Sequence, residues 1–180
     1  MFAKESGGDV GNERRALPTD HVRGLEPRMT QDLDDSPRHW CFGCGERNTE
    51  GLGIRFEVDG GRVEGRFTPR YSHQGYPGVA HGGIAAAALD EALGWAMYAI
   101  GAWAMTARME VKYRKPVPLD AELVVTAAVT RERGRMLEGF AEIRSLSGER
   151  LSEAKALFVR LPEGRARELQ RFFVGETART

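Results

Sequence analysis

The stretch GGIAAAALDEALGWAMYAI, Gly82–Ile100, decides the fold. It is rich in Ala and Leu, contains no Pro and no run of β-branched residues, and so predicts a helix. Apolar side chains fall almost all round it, so it should be buried on most of its faces. The cover must come from the flanking sequence. Upstream, Leu52, Ile54, Phe56 and Val58 alternate with Gly53, Arg55 and Glu57, the period of a strand. Gly60-Gly61 then turns the chain, and Val63, Gly65 and Phe67 alternate with Arg62, Glu64 and Arg66 in a hairpin partner. Downstream, Ala107, Met109, Val111 and Tyr113 alternate with Arg108, Glu110, Lys112 and Arg114, and Pro116 and Pro118 end that strand. Residues 121–131, 135–146 and 150–161 give three more strands, with Gly134 and Gly148 at antiparallel turns. The expected class is α+β, a curved antiparallel sheet wrapped around one long central helix, because each element then buries its apolar face.

Outside this core the chain is polar. Residues 1–36 are mixed in charge and without periodicity, which predicts a flexible N-terminal extension. The domain is expected over 37–162. The tail 163–180 is rich in Arg and Glu, and its Leu169, Phe172 and Phe173 suit a short docked helix. Lys plus Arg and Asp plus Glu both number 26, a balance that argues against nucleic acid as partner. The two cysteines, Cys41 and Cys44, make no disulfide framework, so a reducing cytoplasm is expected. The N-terminus MFAKESGGDVGNERR lacks the apolar run of a signal peptide. The longest apolar stretch, Gly82–Met105, carries Asp90 and Glu91 near its middle, so no membrane span is expected.

The chemistry concentrates in YSHQGYPGVAHGGIAAAALDE, Tyr71–Glu91. Residues 68–81 read as a long loop of the kind that often carries function. Gly82 and Gly83 stand where the helix begins, where backbone N–H groups lack partners and the helix dipole is positive. Glycines there let a carbonyl approach the backbone, which suits an oxyanion; they also suit plain close packing of loop on sheet. Asp90 interrupts an apolar helix, and no Lys or Arg lies between Gly82 and Met105 to pair with it. A lone acid there is costly unless it has a task or a cation from a neighbouring strand. The task available to it is that of general base or nucleophile. Gly83 and Asp90 are seven residues apart and share a helix face, about 10 Å apart at ~1.5 Å per residue. That is too far for both to act on one carbonyl. Two antiparallel helices would bring Asp90 of one copy beside Gly82 of the other.

GYPGVAHGG, the Ala-rich helix with Asp nine residues after the His, and TARMEVKYRKPVP together resemble the PaaI-type hotdog-fold thioesterases. The upstream CFGCGERNTEGLGIRF is similar to the CxxCG–N–xGL entry of one branch of that superfamily. The resemblance covers roughly residues 40–160. It implies the hotdog fold and an acyl-CoA thioesterase that releases free acid and CoA without a cofactor. It also implies a homodimer, or a dimer of dimers, with sites shared across the interface. A non-catalytic acyl-CoA binder and a thioesterase acting on carrier-protein thioesters stand as alternatives, since fold does not choose substrate.

On that reading the catalytic set is Asp90, Gly82, His81 and Thr106, with Gly83 and Gln74 as substrate contacts. His81 caps the helix, orients the loop or meets the thioester. Thr106, sixteen residues after Asp90, matches the place where PaaI-type enzymes put a Ser or Thr near the attacking water; a strand-start Thr is also ordinary sheet content. Many relatives carry Asn or Gln six residues before the His, where this chain has Gly75; Gln74 is one place earlier. Glu91 points about 100° away from Asp90 and is left out. Arg108, Lys112, Arg114 and Lys115 make a solvated basic strand face or contact CoA phosphates. Trp95, Tyr98 and Trp103 belong to the core or to an acyl pocket. Cys41-Phe-Gly-Cys44 resembles half a zinc site with His39 nearby, but a closed site takes four ligands and no second CxxC exists. Two thiols packed in a turn, without metal, are therefore expected.

Overall fold

The computed structural model describes residues 40–174; the expected extension 1–36 and the end of the tail lie outside them. A hairpin, β1 (Arg55–Asp59) and β2 (Arg62–Phe67), is followed by a 3-10 turn at Tyr71–His73 and two short strands, β3 (Gln74–Tyr76) and β4 (Val79–Ala80). Then come α1 (Gly82–Ala99), β5 (Ala104–Tyr113), β6 (Leu123–Arg133), β7 (Met136–Ser145), β8 (Arg150–Arg160) and α2 (Glu163–Val174). The main sheet has six strands in the order β1-β2-β6-β7-β8-β5, and every neighbouring pair is antiparallel. The strand after the helix thus crosses to the far edge and pairs with β8, the last strand in the chain. This is the hotdog arrangement, a curved sheet around one helix.

The sequence pattern explains the packing. Ala85, Ala88, Leu89, Ala92, Leu93, Ala96 and Met97 of α1 are buried against the inward residues of β2, β6 and β7, among them Val63, Val125, Leu137 and Ile143. The alanines let helix and sheet approach closely. Gly139 of β7 shows how closely: a Cβ there would lie 2.6 Å from Leu93 Cδ2. Burying a side chain such as Leu93 contributes about 1.5–3 kcal/mol. The helix stops in a Schellman motif. Gly101 takes φ 70°, its N–H donates to Tyr98 O at 2.8 Å, and Ala102 N–H donates to Met97 O at 2.9 Å.

Two local differences from the sequence pattern matter. Residues 68–81 are not a bare loop: β3 and β4 pair around a turn with Gly78 at φ 76°. Strands of three and two residues are too short to carry a period. Leu52 and Ile54, read as strand, precede β1. They are buried because their N–H groups donate to Phe42 O (2.7 Å) and Gly43 O (2.9 Å), tying the cysteine turn to the start of the sheet. Among the described residues no helix is long and apolar enough to cross a membrane.

Candidate active site

His81 is the N-cap of α1, and its Nδ1 accepts from the Gly83 N–H at 3.0 Å. A ring nitrogen that accepts carries no proton, so the ring proton sits on Nε2. The Gly83 amide is thereby used up. The Ile84 N–H donates to His81 O at 2.9 Å. Among the described residues the Gly82 N–H meets no acceptor, so of this turn it is the donor open to a ligand. The Gly82 carbonyl accepts from the Tyr113 hydroxyl at 3.0 Å, which fixes the plane of the peptide after it. A Cβ on Gly82 would sit 3.4 Å from the Tyr113 ring.

Asp90 lies two turns further along, half-buried, with Oδ1 accepting from the Thr106 hydroxyl at 2.8 Å. Strict alternation would turn Thr106 to the outer face with Arg108. A β-bulge corrects this: Thr106 opposes Phe158 while Arg108 opposes Leu157, so Ala107 is the extra residue. The bulge puts Thr106 on the same face as Met109, Val111 and Tyr113. One strand therefore supplies a hydroxyl to each end of the helix face, Thr106 to Asp90 and Tyr113 to Gly82.

Gln74 is spent locally. Its Oε1 accepts from the Gly78 N–H at 3.0 Å, closing the β3–β4 turn. Gly75, where relatives carry the amide, has no room for one here, since a Cβ would lie 2.9 Å from His81 Cα. His73 was not among the residues singled out from the sequence, yet it is buried and fully used. Its Nδ1 accepts from the Arg70 N–H at 3.1 Å, its Nε2 lies 3.3 Å from Glu50 O, and its carbonyl accepts from the His81 N–H at 2.8 Å. It is the peg that holds the N-cap against the cysteine segment. Its one visible signal was a His directly preceding Gln74 in the motif.

Glu91 sits on the other flank of the helix. The Cys41 thiol donates to Glu91 Oε2 at 3.2 Å, and ligand atoms of Cys41, Cys44 and Glu91 all lie within 4.8 Å of one another. Hydrogen bonds from Cys44 and from backbone N–H groups lower Cys41 from 9.0 to about 5, against the opposing effect of burial. Cys44 is pushed up, by its bond to Cys41 and then by burial. The aromatics continue this flank: Phe56 stacks on Trp95 at 5.2 Å, and Tyr98 leans on Trp103 at 4.9 Å. Burial, then the Glu91 charge, raises the Tyr98 phenol.

The expected basic face is largely ion-paired. Lys112 lies 3.7 Å from Glu110, Arg114 lies 2.8 Å from Glu153, and Lys115 pairs with Glu149. Arg108 instead lines an open groove of about 980 Å³ on the outer sheet face, with Arg131, Arg133, Arg150 and Lys155. Neither Asp90 nor Gly82 borders that groove.

The thioesterase superfamily model matches residues 77–152, from the β3–β4 turn into β8. The chain is 35% identical over 117 residues to the mouse (Mus musculus) acyl-coenzyme A thioesterase THEM4, covering 62% of this chain and 50% of that protein. It spans about half the length of the curated relatives it matches. Among solved structures it resembles the thioesterase superfamily protein RHA08564, with a TM-score of 0.65 and 28% identity over 77% of this chain and 70% of that one. It also superposes on the PaaI protein of the E. coli phenylacetic acid degradation operon, with a TM-score of 0.58 and 20% identity over 62% and 81% of the two chains.

Proposed function

We propose that this chain, whose residues 77–152 match the thioesterase superfamily model and whose fold is that of the hotdog thioesterases, hydrolyses acyl-CoA, with Asp90 as the general base. The observation that carries the reading is the Asp90 carboxylate held by the Thr106 hydroxyl on a helix otherwise almost free of charge. Such an acid can take a proton from water as the water oxygen bonds to the thioester carbonyl carbon. The carbonyl oxygen gains charge, the C–S bond then breaks, and the free acid and CoA thiol leave. The Gly82 N–H at the positive end of α1 is the donor suited to that oxygen. His81 keeps the donor turn in shape through its bond to Gly83, and Gly83, bare of side chain, gives the substrate room. The name of the mouse relative supports CoA over a carrier protein as the leaving group.

Gly82 and Asp90 of one chain stand too far apart along α1 for a single carbonyl, so the reading requires a homodimer with two equivalent sites. Two features support it. The α1 stripe of Gly83, Ala86, Ala87 and Asp90 is not fully covered by this chain. Strand β5, ten residues long, forms a sheet edge whose outer side has no partner strand among the described residues. In this pairing Asp90 works on a carbonyl held by Gly82 of the second copy.

The test is thiol release from a panel of aliphatic and aromatic acyl-CoAs, with the oligomeric state measured in the same buffer. Turnover by a dimer, lost in Asp90→Ala with the fold intact, is the expected result. Saturable acyl-CoA binding without turnover across the panel, or full activity in a monomer, overturns it.

A further inference from the structure

The mechanism leaves Cys41, Cys44 and Glu91 without a task, although they converge from two distant parts of the chain. We propose that they form a binding site for one zinc ion per chain, with three protein ligands and the fourth position filled by water.

The donor set fits the metal. Two thiolates and a carboxylate are ligands that zinc accepts, and a thiolate pair disfavours magnesium and calcium. Tetrahedral zinc with Zn–S of about 2.3 Å and Zn–O of about 2.1 Å separates its sulfurs by roughly 3.8 Å and each sulfur from the oxygen by roughly 3.5 Å. The three ligand atoms already lie within 4.8 Å of one another, and the Cys41 Sγ to Glu91 Oε2 distance is 3.2 Å. Opening that contact by a few tenths of an ångström admits the ion. Any proton still held on either sulfur is released to solvent as the two metal–sulfur bonds form.

The site is built rather than accidental. The turn is pinned by Gly45 N–H to Cys41 O (3.0 Å), and Gly43 N–H donates to Cys41 Sγ at 3.3 Å, a bond that favours the thiolate. From behind it is held by the Leu52 and Ile54 N–H groups. Gly43 then makes space for the third ligand, because a Cβ there would lie 2.3 Å from Glu91 Cγ. The carboxylate reaches the sulfurs only across a residue with no side chain. The ion would clip the segment before β1 to the helical turn that carries Asp90. It takes no part in thioester chemistry, and the inference stands independently of the thioesterase reading.

The experiment uses the full chain, reduced and stripped with a chelator, then titrated with zinc against a chromophoric competitor. One zinc per chain is expected. Affinity should fall by more than about 100-fold in Cys41→Ser/Cys44→Ser, beyond the 10–100-fold of an outer-shell change, and by roughly 10–100-fold in Glu91→Gln. Cobalt in place of zinc should give thiolate-to-cobalt charge-transfer absorption and the intense visible bands of tetrahedral coordination. The cobalt spectrum needs no variant, so a double mutant that fails to fold does not protect the proposal. A reduced wild-type chain that takes up no zinc overturns it. So does a cobalt complex without sulfur charge transfer, or a double serine variant that binds zinc as tightly as wild type.

Discussion

Asp90 and Glu91 are neighbours in sequence, both half-buried, and they inhabit different chemistry. Asp90 faces the edge strand and receives one hydroxyl, from Thr106. Glu91, about 100° further round the helix, faces the N-terminal turn and receives a thiol, from Cys41. The first flank is incompletely covered and lies on the face of the Gly82 amide. The second is closed by a cysteine turn and an aromatic ladder. The lesson is that a pair of acids on an apolar helix need not be a catalytic dyad. One turn of helix can present an acid to a reaction and its neighbour to a clamp.

The strongest way to break this contrast is to remove each charge in turn. Asp90→Asn should lower kcat for thiol release by about 10²–10⁴-fold, the range of a lost general base, while Glu91→Gln costs less than about tenfold. Equal losses in two folded variants would erase the distinction. Gly43→Ala acts on the Glu91 flank alone. Its Cβ would force Glu91 from the cysteines, so a destabilisation of about 1–3 kcal/mol is expected in urea denaturation, with catalysis far less affected. Thr106→Val acts on the other flank: losing one hydrogen bond of about 1 kcal/mol should lower kcat several-fold, and Thr106→Ser should recover most of it. Wild-type rates in Thr106→Val would leave Asp90 without its claimed support.

The smallest effect belongs to an acid remote from both flanks. Glu153 is held below the usual carboxylate range, first by its hydrogen bond from Arg114. A depressed folded value means that its ion pairs add stability above the ordinary glutamate range and lose it as pH falls through the lowered value. The Tm gap between wild type and Glu153→Gln should therefore be present at neutral pH and close in acid. A gap that widens in acid would reverse the assigned sign.

Much of the fold was legible because it rests on periods. The apolar helix, the alternating strands and the glycine turns all announce themselves within a dozen residues. What was not legible rests on contacts between distant residues. Nothing near Thr106 announces a bulge, and strict alternation places its hydroxyl on the wrong face; only the pairing with β8 reveals the slip. The bond from Tyr113 to Gly82 spans 31 residues and that from Cys41 to Glu91 spans 50. Sequence reasoning saw in Cys41 and Cys44 half of a zinc pattern and expected two packed thiols without metal. The carboxylate that the fold brings to these sulfurs is Glu91, set aside in the sequence for pointing away from Asp90. Asp90 itself stood out for a physical reason that needs no partner, a charge in an apolar run.

The two edges of the sheet are unequal, and this bears on how far the protein can grow by association. Strand β1 at one edge has five residues, with Arg55, Glu57 and Asp59 among them, and a short charged edge resists further strands. Strand β5 at the other is twice as long. An edge that pairs antiparallel with its own copy consumes itself, because the two-fold axis leaves no second β5 to offer. The joined sheet then ends in β1 at both extremities. Were two copies to pair along β5, growth by further strand addition would stop there, because only the short charged β1 edges would remain.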